Sequence, residues 1–187
     1  MYTTPAVVEA ATKHLVNFYL EANKRFFEIA ASKIDVYFFG NDVGSQLNML
    51  ISPDAFEKFL FPGTKKVVEQ AKSYNLKVAI HSCGAVSRII PKLIDIGIDA
   101  FLHPLQAKAE GMDAENLAKK FKGHMVFIGG VDTQDLLPFK SPNEVKAEVR
   151  RLKKLFGERF IVSPSHEALL PHVAIENALA MRDAALE

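Results

Sequence analysis

The chain has no tryptophan and a single cysteine in 187 residues. One thiol cannot close an internal bridge, so a disulfide-stapled fold is excluded. The same scarcity fits a reducing compartment, and cytoplasmic residence is the expectation. An excess of charge of either sign is also missing, with 23 Lys and Arg against 22 Asp and Glu. The basic residues form no stripe, which argues against nucleic acid and against an anionic membrane surface as partners. No apolar run approaches the roughly 20 residues of a membrane span. Met1-Tyr2-Thr3-Thr4-Pro5 lacks the charged start and apolar core of a signal peptide. A dinucleotide fingerprint, a P-loop and a GxSxG elbow are absent too. Without repeats, low-complexity tracts or linkers, residues 1–187 read as one domain.

What is present is a steady alternation of helix and strand. An amphipathic stretch predicts a helix from Pro5 to about Ser32, followed by the β-forming run Ile34 to Gly40. Ser52-Pro53-Asp54 is a helix start, with a serine cap, a proline in the first turn and an acid at the positive helix end. That helix is expected to bend at Pro62-Gly63 and to run to about Tyr74, before a strand from Lys77 to Ile80. A helix over Val86 to Ile96 stops at Gly97, and a strand Ala100-Phe101-Leu102 follows. Asp113 opens a helix ending near Gly123, ahead of a strand Met125 to Ile128. Ser141-Pro142-Asn143-Glu144 is a capping box on a helix to Gly157. A strand Phe160-Ile161-Val162 and a helix from Ala174 to Ala185 complete the pattern.

Short, continuously apolar strands suit a parallel sheet, and repeated βα units mean a doubly wound sheet or a (β/α)8 barrel. Polar residues gather after every strand: Asn41-Asp42, His81-Ser82-Cys83, His103-Pro104-Leu105-Gln106, Asp132-Thr133-Gln134 and Ser163-Pro164-Ser165-His166-Glu167. A barrel brings all such segments to one catalytic face, whereas an open sheet concentrates its site at one switch point. The pattern therefore favours an α/β fold of the (β/α)8 TIM-barrel type. It is incomplete, because about five βα units are legible where a closed barrel has eight. Either these units are the C-terminal portion of a larger enzyme or another chain closes the gap. An unclosed parallel edge would adhere to other strands, so a homo-oligomer is expected.

His81 and Cys83 stand two apart, and residues at that spacing on a strand share a face. Together they supply half of a zinc site, set against the plainer reading of a buried thiol and a hydrogen-bonded core histidine. His166 offers a third ligand, with His103 as the alternative, and Glu167 beside His166 is a candidate catalytic carboxylate. Asp42, just past a strand, is a second such carboxylate, or a turn former capping local amides. Gly129 and Gly130, with Asp132, would let backbone approach a cofactor closely. His14, His124 and His172 read as surface or turn residues.

Four blocks together resemble the uroporphyrinogen decarboxylase superfamily. They are Asn41-Asp42-Val43-Gly44-Ser45-Gln46 running into Ile51-Ser52-Pro53-Asp54-Ala55-Phe56, then His81-Ser82-Cys83-Gly84, Gly129-Gly130-Val131-Asp132-Thr133 and Ser163-Pro164-Ser165-His166. The resemblance implies a (β/α)8 barrel of which this is the C-terminal part. Its zinc-dependent, corrinoid-linked methyltransferase branch carries HxCG as two zinc ligands and a later cysteine as the third. His81 and Cys83 match the first two, and His166 stands at the third place, a departure from that pattern. The decarboxylase branch lacks HxCG at this strand. The implied chemistry is methyl transfer to or from a thiol or a cobamide. Zn2+ is the implied cofactor, and a small-molecule methyl donor or thiol acceptor the partner. A corrinoid protein and an N-terminal barrel partner are further implied partners. The alternatives are a metal-free lyase and a non-catalytic barrel fragment.

Overall fold

A computed structural model describes residues 1–102 and 108–187 of the chain. Its elements run α1 (Pro5–Ala30), β1 (Val36–Gly40), α2 (Pro53–Ala55), α3 (Phe61–Ser73), β2 (Lys77–His81), α4 (Ile90–Asp95), β3 (Ala100–Leu102), α5 (Ala114–Phe121), β4 (Val126–Val131), α6 (Leu136–Phe139), α7 (Pro142–Phe156), β5 (Phe160–Pro164) and α8 (Ile175–Leu186). The predicted caps form as the sequence requires. The Ser52 hydroxyl accepts from the Ala55 amide, the Asp113 carboxylate from the Asn116 amide, and Ser141 and Glu144 close a reciprocal capping box.

Three elements depart from the expected boundaries, each for a local reason. The bend expected at Pro62-Gly63 falls earlier, as a π-helical turn over Phe56–Leu60 in which the Phe61 amide reaches the Phe56 carbonyl. Pro62 has no amide to donate and its ring crowds the preceding turn, so the helix widens upstream of it. The helix expected from Val86 begins only at Ile90, because Pro91 sits most easily in a first turn. The fourth strand runs past Ile128 to Val131, so Gly129 and Gly130 lie inside β4, paired with Val162 and Ser163. They are strand residues, past the strand end expected at Ile128. The segment His103-Pro104-Leu105-Gln106 lies outside the described residues.

All five strands are parallel and ordered β1-β2-β3-β4-β5, an open α/β sheet of consecutive βα units. The register sets Tyr37 beside Val78, Ile80 beside Phe101 and Phe101 beside Phe127, which places these side chains on one face. The helices cover that face. Phe27 of α1 meets the Tyr37 ring edge-on at 5.1 Å, and Phe156 of α7 lies between Phe127 at 5.1 Å and Phe160 at 5.2 Å. Val78, Ile80, Phe101 and Phe127 join one apolar core with Val68, Leu93, Leu117 and Val149 from α3, α4, α5 and α7.

The opposite face carries no such cover at its edges. Val36 and Phe38 on β1 are 48% and 52% exposed, and Ile161 on β5 is 53% exposed. Small Ala79 and Ala100 occupy its middle. A doubly wound sheet buries both faces under helices, whereas a barrel wall has helices outside and strand side chains inside. The chain is thus part of a TIM-barrel-type wall, with β1 and β5 as its open edges. Among the described residues no helix is long and apolar enough to cross a membrane.

The N-terminal end of the wall is stitched by Asp99. Its backbone pairs with both neighbours, the amide donating to the Val78 carbonyl and the carbonyl accepting from the Val126 amide, each at 2.8 Å. Its carboxylate accepts from the Val78 amide and from Lys72. Burial works against the charged form of Asp99, but the hydrogen bonds from Lys72 and Val78 and the charges of Lys72 and Lys77 prevail, holding it below the usual aspartate value. A depressed folded-state value stabilises the fold above the unfolded carboxylate range, and that contribution fades as pH falls through the folded value. Asp99→Asn is expected to lower stability by about 1–2 kcal/mol at neutral pH. The deficit should shrink in acid, as urea unfolding at pH 7 and near pH 3 would test; a pH-independent deficit contradicts the assignment.

Candidate metal centre

His81 is the last residue of β2 and is 7% exposed. Its side chain sits on the barrel-interior face, since Ala79 and His81 alternate with the helix-facing Val78 and Ile80. Among the described residues, three polar atoms approach its Nε2. Asp42 Oδ1 lies at 3.1 Å, Glu167 Oε2 at 3.4 Å and Cys83 Sγ at 3.6 Å. Among the described residues, the ligand atoms of Asp42, His81 and Cys83 form a group within 4.8 Å of one another. The wall thus brings the ends of β1, β2 and β5 to one point at its C-terminal edge, where barrel chemistry is carried out.

Two loops are locked together to hold this arrangement. The Asn41 amide donates to the His81 carbonyl, and the Cys83 amide donates to Asp42 Oδ1 at 2.7 Å. Ser82 is buried; its hydroxyl accepts from the Val43 amide and donates to the Cys83 carbonyl. Gly84 has φ +83°, and a Cβ there would stand 2.4 Å from the Gly44 carbonyl carbon. Gly44 in turn would place a Cβ 2.6 Å from the Cys83 carbonyl oxygen. Two facing glycines let the loops approach backbone to backbone. Gly44, Ser82 and Gly84 stand in the blocks that carry the family resemblance, but their supporting role does not follow from the sequence. Their partners lie about 40 residues away in sequence, so no periodic signal marks them.

The remaining candidates fall beside the group. His166 does not join it; its Nδ1 accepts from the Ala168 amide at 3.1 Å. It lines a small polar pocket of about 80 Å3 with Gln46, Lys108, Asp132, Thr133, Gln134 and Ser165. Asp132 spends its carboxylate locally, accepting from the amides of Gln134 at 3.0 Å, Asp135 at 2.9 Å and Leu136 at 3.3 Å. It initiates α6 in the manner of an Asx turn. Ser165 and Thr133 are both buried, and their hydroxyls meet at 3.2 Å across the ends of β4 and β5. Lys108 is paired with Asp135, whose hydrogen bond raises the lysine above its ordinary value. His103 lies outside the described residues. Glu167, the candidate catalytic carboxylate next to His166 in sequence, faces His81.

Comparison with known proteins agrees with this architecture. The profile of the family described as Uroporphyrinogen decarboxylase (URO-D) matches residues 1–187. Among solved structures, a methyltransferase from Methanosarcina mazei superposes with a TM-score of 0.64 at 22% sequence identity. The match covers 82% of this chain and 42% of that one, so the chain spans less than half the length of that protein. At such identity the likeness establishes the fold alone. Among curated proteins, none matches the sequence.

Proposed function

The chain belongs to the uroporphyrinogen decarboxylase family, and from that premise we propose that it serves the family's zinc-dependent methyl transfer. The observation that carries the reading is the convergence of Asp42, His81 and Cys83 within 4.8 Å. Ligands about 2.0 Å (imidazole) and 2.3 Å (thiolate) from one zinc ion, at a tetrahedral angle, stand roughly 3.5 Å apart. The His81 Nε2 to Cys83 Sγ separation is 3.6 Å, so the pair fits a shared ion without rearrangement.

His81 and Cys83 would hold the zinc. When bound, the ion supplies a Lewis acid that keeps a substrate thiol deprotonated near neutral pH. The protein's own part is positioning. The Cys83 amide fixes Asp42, and the Asn41 amide ties the β1 loop to the end of β2, so the group is ordered before substrate arrives. Glu167 closes the side of His81 toward β5. The methyl donor would be a cobamide presented by a corrinoid protein, and the acceptor a small thiol.

The reading is tested by mixing zinc-loaded protein with a methylated cobamide and a small thiol, and following loss of the methyl–cobalt absorption. Zinc-dependent transfer that Cys83→Ala reduces about a hundredfold or more is expected, the scale of losing a group that polarises the reacting atom. No transfer, or equal transfer by Cys83→Ala, removes the reading. Metal-independent decarboxylation would point to the family's lyase chemistry instead.

The pocket also needs a wall opposite the group. We infer that further βα units pack on the exposed interior face of β1 and β5 and on the apolar stripe of α1, where Leu15, Phe18, Phe26 and Ile29 are exposed at helical spacing. The 187-residue chain by itself is then expected to self-associate through these surfaces. Sedimentation velocity should show oligomers that Phe38→Lys with Ile161→Lys reduces. A monodisperse monomer at tens of micromolar would contradict it.

A further inference from the structure

The family pattern asks for a second thiolate at the metal, and this chain has one cysteine. Among the described residues, what stands around His81 Nε2 beside that one thiol is carboxylate. Asp42 Oδ1 at 3.1 Å is nearer than the sulfur, and Glu167 Oε2 at 3.4 Å completes a ring of three acceptors about a single nitrogen. One imidazole N–H can serve only one of them well, whereas a cation can be shared by His81, Asp42 and Cys83, whose ligand atoms all lie within 4.8 Å of one another. The Asp42 spacing also suits a common ion: imidazole and carboxylate ligands near 2.0–2.1 Å, at a tetrahedral angle, stand roughly 3.4 Å apart.

Asp42 is prepared for such a role. Its Oδ1 is held by the Cys83 amide at 2.7 Å, and its loop is clamped by the contact of Gly44 with Gly84. A carboxylate fixed in this way loses little freedom on binding metal, and the amide that fixes it belongs to another ligand. His166 is differently placed. Its Nδ1 is engaged with the Ala168 amide, and the ring borders the pocket of Asp132 and Lys108.

We propose that the third protein ligand of this zinc centre is Asp42, giving an imidazole–thiolate–carboxylate set of His81, Cys83 and Asp42, and that His166 is not a ligand. The proposal rests on the zinc reading above and names the donors for this chain. It makes the centre a one-sulfur site. Two anionic ligands and one neutral imidazole balance the charge of the ion, as a two-thiolate set would.

The test is zinc affinity, measured by competition with a chromophoric chelator on the full 187-residue chain, together with the absorption spectrum of the cobalt(II) form. Asp42→Asn keeps an oxygen that can accept from the Cys83 amide, so the loop is retained while the anionic ligand is lost. It is expected to weaken zinc binding about tenfold or more, beyond the loss seen for outer-sphere partners. His166→Ala should stay within about twofold of the parent, inside the range of a surface substitution. Asp42→Cys should restore tight binding and roughly double the sulfur-to-cobalt charge-transfer band, since each thiolate is a metal ligand in its own right. Asp42→Asn binding like the parent, or His166→Ala losing as much as Asp42→Asn, would overturn the assignment while leaving a zinc site in place. Failure of the parent chain to bind zinc is a distinct result, and it would remove the underlying reading as well.

Discussion

Gly84→Ala is expected to destabilise the chain by roughly 2–4 kcal/mol and to abolish metal binding. Two independent effects act at this residue. The backbone holds φ +83°, which disfavours any side chain. The added methyl would also meet backbone, 2.4 Å from the Gly44 carbonyl carbon and 2.6 Å from the Ser45 amide nitrogen. Backbone atoms cannot swing aside as a side chain would, so the two loops must part. Parting them breaks the Ala85 amide to Ser45 carbonyl bond at 2.8 Å and withdraws Asp42 from Cys83. The strands themselves should survive, because their core lies on the helix-covered face. Urea unfolding, far-ultraviolet circular dichroism and zinc affinity measured together would reveal this. An alanine variant with parental stability and affinity would refute the clamp.

His81→Ala is expected to produce the second large effect, a fall in zinc affinity on the order of a hundredfold or more. The imidazole is the one residue that every other member of the group approaches, and it is the only buried one among Asp42, His81, Cys83 and Glu167. Without it, two exposed carboxylates and a thiol remain, held by loops with no common centre. Fold stability should change less than for Gly84→Ala, since His81 faces the barrel interior and lies outside the apolar core. Calorimetric zinc titration would measure the fall; affinity within a few-fold of the parent would contradict the central role of this nitrogen.

The frame of this site was legible in the residues. Helix starts at Ser52, Asp113 and Ser141 follow from capping chemistry acting within four residues, and all three form. The order of the βα units and the placing of His81, Cys83 and Asp42 at strand ends follow from local pattern as well. Partners across loops did not follow. Asp42 turns to the Cys83 amide because Gly44 and Gly84 let their backbones touch, a contact between residues 40 apart in sequence. Glu167 reaches His81 while its neighbour His166 turns to the Ala168 amide, a choice made by the path of the chain after Pro164. The carboxylate of Asp132, a candidate cofactor-binding residue, rests on the amides of Gln134, Asp135 and Leu136 ahead of α6. The side-chain direction of a loop residue depends on which backbone donors fold close to it, and no period of two or 3.6 encodes that.

The division of labour along the wall follows barrel logic. Asp99 and Lys72 secure the N-terminal ends of the strands, where stability is decided, and the polar group occupies the C-terminal ends. Changes at the first end should move unfolding and spare zinc affinity, whereas changes to the ligand side chains at the second, unlike the backbone clamp at Gly84, should move zinc affinity more than unfolding.

The most direct measurement is the zinc content of the purified chain after dialysis against metal-free buffer, read by elemental analysis beside Cys83→Ala. About one zinc per chain is expected, as a single three-ligand site requires, and almost none in the variant. A parent chain without zinc, or a variant that retains it, would contradict the assignment of His81-Ser82-Cys83 as the core of a metal centre.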